Sequence, residues 1–177
     1  MKIFFQLLLI TNSLFFSSDK SLIDWNINRH LVWDDFKAAP DTNSRNAALT
    51  TSAIQFNFTY DGHNLNYTIT CQFDKNKSWG KVKTDYILSH EQGHFDITEI
   101  YARKLNKSMK EYSVGNVKSL NKDLNKIYQT TMHELNRYQD VYDGETNFSI
   151  NKEKQAEWLE KISKELKDLN DYANYPH

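Results

Sequence analysis

Apolar and polar side chains alternate over two neighbouring stretches, Ile54, Phe56, Phe58 and Tyr60 in the first and Leu65, Tyr67, Ile69, Cys71 and Phe73 in the second. A period of two gives each strand one oily face and one polar face, here of Asn, Thr and Gln. Asp61-Gly62 lies between them and accepts the positive φ of a tight turn, so the pair reads as an antiparallel hairpin covered on one side only. Beyond Trp79-Gly80 the period becomes helical. Ile87, Glu91, Phe95, Thr98, Ala102, Leu105 and Met109 share one stripe over residues 84–112, with Thr84 or Asp85 placed as N-cap. Val114-Gly115-Asn116 ends that helix. A second is expected over 118–142, with Leu120, Leu124, Ile127, Tyr128, Thr131 and Leu135 inward and Gly144 as its breaker. A third is expected over 151–172, turning Trp158, Ile162, Leu166 and Leu169 inward. Residues 25–36 read as a short extended stretch and 41–46 as loop. The fold class is therefore α+β: a small antiparallel sheet, a long helix packed beneath it and two further long helices closing the core.

The first residues follow a different rule. Lys2 precedes the apolar run from Ile3 to Ile10, and small residues, Ser13, Ser17 and Ser18 among them, lie behind it. This is the order of a secretory signal peptide, expected over residues 1–18, and the run is too short for a bilayer span. No cysteine follows it, which excludes a lipoprotein anchor. A single domain is expected over 19–177, secreted or periplasmic and without stable membrane insertion once the signal is removed. Apolar residues at 39% and aromatics at 14% suit a packed core. With 22 basic against 23 acidic residues there is no global basic field, so no nucleic-acid partner is expected. The lone Cys71 excludes an internal disulfide and a Cys-based zinc site, and its place in the alternation makes it a buried thiol.

The chemistry is concentrated at His90-Glu91-Gln92-Gly93-His94. Histidines four residues apart on a helix share one side, one turn above the other, and can reach a single ion. Neutral imidazole nitrogen suits Zn2+ at about 2.0–2.1 Å. Glu91, on the neighbouring stripe, is placed to accept a proton from water activated by the metal rather than to ligate. The third ligand must come from the second helix or the segment behind it, where His133, Glu134, Asp140, Asp143 and Glu145 are candidates. Asp96 and Glu99 point away from the His90/His94 side and suit outer roles, such as fixing an imidazole tautomer. Gly93 inside the helix costs about 1 kcal/mol relative to Ala, which suggests a close approach by the sheet or a substrate. His30, His63 and His177 read as solvated. Tyr138 and Tyr142 read as interior packing before oxyanion donors, and Trp33, Trp79 and Trp158 as core anchors.

The run His90-Glu91-Gln92-Gly93-His94-Phe95-Asp96-Ile97, followed by Tyr101-Ala102-Arg103-Lys104-Leu105, resembles the DUF922 group of predicted secreted zinc-dependent proteases. The resemblance runs upstream through Trp33-Asp34-Asp35-Phe36 and Ser78-Trp79. Downstream it passes through Tyr142-Asp143-Gly144-Glu145-Thr146 to Gln155 and Trp158. It implies a zincin-like domain with Zn2+ as cofactor, a peptide or protein substrate, His90 and His94 as ligands and Glu91 as catalytic base. The group's pattern places a histidine two residues after that threonine, a natural third ligand. Phe148 stands there in this sequence and cannot bind metal. Either Asp143 or another nearby carboxylate completes the site, or this member binds zinc weakly and has lost activity; Asp143 is taken as the ligand. The expected function is a metallopeptidase; the alternative is a catalytically inactive zincin-like binding module of the cell envelope. A third possibility is a helical interaction protein in which the histidine pair is incidental.

Overall fold

The computed structural model describes residues 21–177; the signal segment expected over 1–18 lies outside the described residues. Among the described residues no helix is long and apolar enough to cross a membrane. The chain is α+β, with three long helices against a small antiparallel sheet.

The two alternating stretches form β3 (Ser52–Tyr60) and β4 (Leu65–Asp74), paired from Ser52↔Phe73 to Tyr60↔Leu65. Their connection is longer than a two-residue turn. Gly62 takes φ 98°, as the Asp-Gly signal requires, while Asp61 Oδ1 accepts from the His63 and Asn64 N–H groups at 2.9 and 2.7 Å. That local bonding widens the turn. A short strand not evident in the sequence pattern, β1 (Leu22–Asp24), pairs with the other edge of β4, giving the order β1-β4-β3. A separate two-stranded ribbon joins β2 (Ala48–Leu49) to β5 (Trp79–Gly80). The stretch from Trp25, expected to be extended and to end in a turn before Pro40, closes in a 3-10 turn over residues 33–35. Strands of two or three residues are too short to display a period, which is why they escape a pattern reading.

Helix α1 (Asp85–Glu111) starts where expected, with Thr84 Oγ1 accepting from the Ile87 N–H. Its buried stripe, including Phe95, Ala102 and Leu105, packs on Ile54, Ile69, Cys71 and Phe73 of the sheet in one core. Helix α2 (Leu120–Thr146) runs through Gly144 rather than stopping before it. Gly144 is exposed with open space around it, so its cost is only backbone entropy. The extra turn is anchored by fully buried Tyr142 and Thr146, whose hydroxyl donates to the Tyr142 carbonyl at 2.7 Å. Helix α3 (Lys152–Asp168) is capped by Asn151 and ends before the expected 172, giving way to a 3-10 turn over 170–172.

The C-terminal tail returns to the sheet. Ile69 N–H donates to the Pro176 carbonyl at 2.8 Å. Buried Tyr175 donates from its hydroxyl to Glu99 Oε2 at 2.7 Å, and Arg103 Nε donates to Glu99 Oε1 at 2.8 Å. Glu99 is thus a buried tie between α1 and the tail. It lies away from the histidines and touches neither imidazole, contrary to the outer role expected for it.

Candidate metal centre

Both histidines of the 90–94 motif lie on α1, their ring centroids 4.8 Å apart and their planes nearly perpendicular. Their Nε2 atoms are 3.2 Å from each other. The extra turn of α2 carries Asp143 across from them, and its Oδ1 lies 3.2 Å from His90 Nε2 and 3.1 Å from His94 Nε2. His90, His94 and Asp143 form a cluster suited to a metal ion. A tetrahedral site with bonds of about 2.05 Å has ligand atoms about 3.3 Å apart, so this triangle matches zinc without rearrangement. One face of it opens to a cavity of about 340 Å³.

The other sequence candidates are elsewhere. His133, Glu134 and Asp140 are exposed, outside the cluster, and Glu145 is occupied by the Trp158 indole N–H at 2.8 Å. A helical period explains the selection. Leu135, Gln139 and Asp143 line the cavity at steps of four, whereas 133, 134 and 140 fall on other stripes of α2. Phe148 lines the cavity rim, half exposed, and Tyr142 is buried packing, as expected.

Glu91 is 4% exposed and lines the same cavity. Its Oε2 has no hydrogen-bond partner among the described residues. Burial pushes its pKa above the ordinary carboxyl value, although His94, Thr50 and His90 partly offset this. A carboxylate held in this way has a raised proton affinity and little else to bond, the properties of a general base. For Asp143, burial acts upward, but hydrogen bonds and charge from His90 and His94 win and hold it well below its usual range. The His94 imidazole shows the reciprocal effect. Burial acts downward on it, yet the hydrogen bond and charge of Asp143 leave it raised.

Two residues of α2 orient these rings, and the sequence reading missed the first. Gln139 Oε1 accepts from His94 Nδ1 at 2.5 Å, while Gln139 Nε2 donates to the His94 carbonyl at 2.9 Å. Because the amide N–H₂ is engaged by a carbonyl, its oxygen must face the ring. Nδ1 therefore carries the proton, and Nε2 is left free toward Asp143. Asp96, expected in such a role, instead accepts from the Trp25 indole and from Gln92, at 2.8 and 2.7 Å. The second orienting residue is Tyr142, whose ring stacks on His90 at 4.5 Å and 21°. His90 Nδ1 is buried without a hydrogen-bond partner among the described residues, so besides the Nε2 contact with Asp143 it is stacking on Tyr142 that holds this ring.

Tyr142 also explains Gly93. A Cβ on Gly93 would lie 2.5 Å from the Tyr142 hydroxyl oxygen and 3.0 Å from its Cζ. The residue is small because α2 crosses there, not because the sheet or a substrate approaches.

A model of the family described as "Bacterial protein of unknown function (DUF922)" matches residues 20–149. The chain belongs to DUF922. The matched segment contains the sheet, α1 and all of α2, and so both halves of the metal cluster; α3 lies beyond it. Neither the curated proteins nor the solved structures contain a match to this chain.

Two outcomes are expected for this DUF922 member. If the cluster binds added Zn2+, Gln139→Ala, by freeing the His94 tautomer, should weaken that binding about 10- to 100-fold, read by competition with a chromophoric chelator. An unchanged affinity would remove Gln139 from the orienting role. Gly93→Ala, normally favourable in a helix, instead lowers stability by about 1–3 kcal/mol through overpacking against immobile Tyr142. Thermal unfolding of Gly93→Ala beside Gly93→Ala/Tyr142→Phe checks this, because deleting the clashing oxygen should recover part of the loss.

Proposed function

We propose that this DUF922 chain is a zinc metallopeptidase of zincin-like architecture, secreted or periplasmic, acting on peptide or protein substrates. The single observation that carries the reading is the convergence of three ligand atoms from two helices on one cavity, with the Glu91 carboxylate beside them. His90, His94 and Asp143 hold the metal, with two neutral nitrogens and one carboxylate as donors. When bound, zinc supplies Lewis acidity, lowering the pKa of water and polarising a carbonyl. Glu91 takes the proton of the attacking water and delivers it to the departing amine nitrogen. Burial suits it to both steps by keeping its proton affinity above that of a solvated carboxylate. Gln139 and Tyr142 hold the imidazoles so that little reorganisation is needed.

The expected result is about one zinc per chain in protein purified without an affinity tag, and peptide cleavage that stops with chelator and returns with zinc. Phe148, where the family pattern carries histidine, favours a second reading, the inactive envelope module. No zinc at micromolar supply, or zinc bound without any cleavage, favours that module over the enzyme.

Zinc binding should also weaken as pH falls through the imidazole range, about 7.5 to 5.5, because protons compete for the ligand nitrogens. Asp143 raises the His94 pKa in the metal-free fold. Stability from that charge is therefore present below the unfolded pKa and lost as pH rises through the folded one. The gap in melting temperature between zinc-loaded and metal-free protein should widen with rising pH. A gap independent of pH would contradict ligation by histidine.

A further inference from the structure

We infer that Phe148 and Leu49 wall a subsite that seats a large aliphatic or aromatic side chain of an extended peptide beside the metal centre. The inference rests on the peptidase reading and adds a substrate preference to it. Phe148 is 50% exposed and Leu49 39% exposed, and both line the cavity that holds His90, Glu91, His94 and Asp143. At that exposure both the ring and the isobutyl group leave apolar surface open to water. Both gain if an apolar group covers them.

The backbone beneath Phe148 is the second observation. A helix commonly ends on one left-handed residue, and Asn147 at φ 49° supplies it for α2. Here the left-handed conformation continues through Phe148 at φ 52° and Ser149 at φ 69°. Each such residue with a Cβ is disfavoured, and runs of them persist only where surroundings impose them. Here the Phe148 N–H donates to the Asp143 carbonyl at 2.9 Å, and the Asn151 N–H closes the turn on the Thr146 carbonyl at 2.8 Å. The turn buries Ser149, 8% exposed, and leaves the Phe148 ring at the cavity rim. The chain thus bonds directly from the Asp143 main chain to a strained turn that presents an aromatic ring. Placement at the rim, incomplete burial and backbone strain coincide at one residue.

The chemistry of the wall sets the class of side chain. The Phe148 and Leu49 side chains carry neither charge nor donor, so an acidic or small residue placed against them gains little, whereas a leucine or phenylalanine buries surface. One methylene in an apolar pocket discriminates by about 10-fold or more, so a whole side chain should be readily measured.

The test uses the zinc-loaded Glu91→Gln chain, which cannot consume its ligand, and fluorescein-labelled eight-residue alanine-based peptides carrying Leu, Phe or Asp centrally. Fluorescence anisotropy should show Leu and Phe peptides binding about 10-fold or more tighter than the Asp and all-alanine peptides. Adding Phe148→Gly, which accepts φ 52° without a side chain, should cut that preference below about threefold with zinc content and melting temperature maintained. Adding Phe148→Leu should keep most of it. Equal binding of all peptides, no binding, or a preference untouched by Phe148→Gly overturns the inference. If wild-type protein cuts none of the peptides while the preference stands, the peptidase reading fails and the subsite remains.

Discussion

Under the proposed peptidase function, replacing Glu91 with Gln is expected to reduce peptide cleavage by about 10²- to 10⁴-fold while leaving zinc content and fold in place. The amide keeps the shape of the carboxylate but cannot accept and return a proton. Stability should not fall. Glu91 is 4% exposed with one oxygen unpartnered, and burial already works against its charge. A neutral side chain of equal size relieves that cost, so the melting temperature should hold or rise. Hydrolysis rates, zinc analysis and thermal unfolding on one preparation check all three points. Unchanged hydrolysis removes Glu91 from the chemistry; lost zinc would make it a structural support of the ligands instead.

Replacing Asp143 with Ala is expected to have a different signature: zinc at micromolar supply drops from about one per chain to none, and cleavage disappears with it. The loss should exceed the ~10- to 100-fold weakening typical of an outer-shell partner, because a direct donor is removed. Two imidazole nitrogens 3.2 Å apart then face each other without the carboxylate that bridged them. The metal-free variant should lose more stability near pH 6 than near pH 8, since the stability from the His94 charge that Asp143 favours is full below the unfolded imidazole pKa and declines as pH rises through the raised folded one. Chelator competition and melting curves at both pH values measure this. Asp140→Ala and Glu145→Ala serve as controls that retain zinc. If Asp143→Ala binds zinc like the parent, another group closes the site.

The long elements were legible because each buries one face. The alternation at 54–60 and 65–73 and the helical stripe from Ile87 to Met109 correspond to β3, β4 and α1, and Thr84 caps that helix as its sequence position suggested. Errors came where a local rule met a tertiary constraint. Gly144 has the weakest helical preference in its segment, but Tyr142 and Thr146 on either side are completely buried and carry the helix past it. The ribbon of β2 and β5 and the edge strand β1 have no readable period at two or three residues each. Gly93 was recognisable as an anomaly, but the atom that demands it belongs to a residue 49 positions later.

The candidate site divides in the same way. The sequence alone determined that His90 and His94 share one side of a helix with Glu91 on the adjoining stripe, because a helix of 3.6 residues per turn allows no other arrangement. It also limited the third donor to a few residues of the second helix. Only the tertiary structure decided among them. The crossing of α2 over Gly93 sets the rotation of that helix about its axis, and this turns Asp143 and Gln139 toward the imidazoles and His133, Glu134 and Asp140 to solvent. Spacing along one helix is covalent and can be read locally. The angle between two helices is set by packing of side chains distant in sequence, and that packing brings Asp143, rather than the other candidates, to the histidine pair.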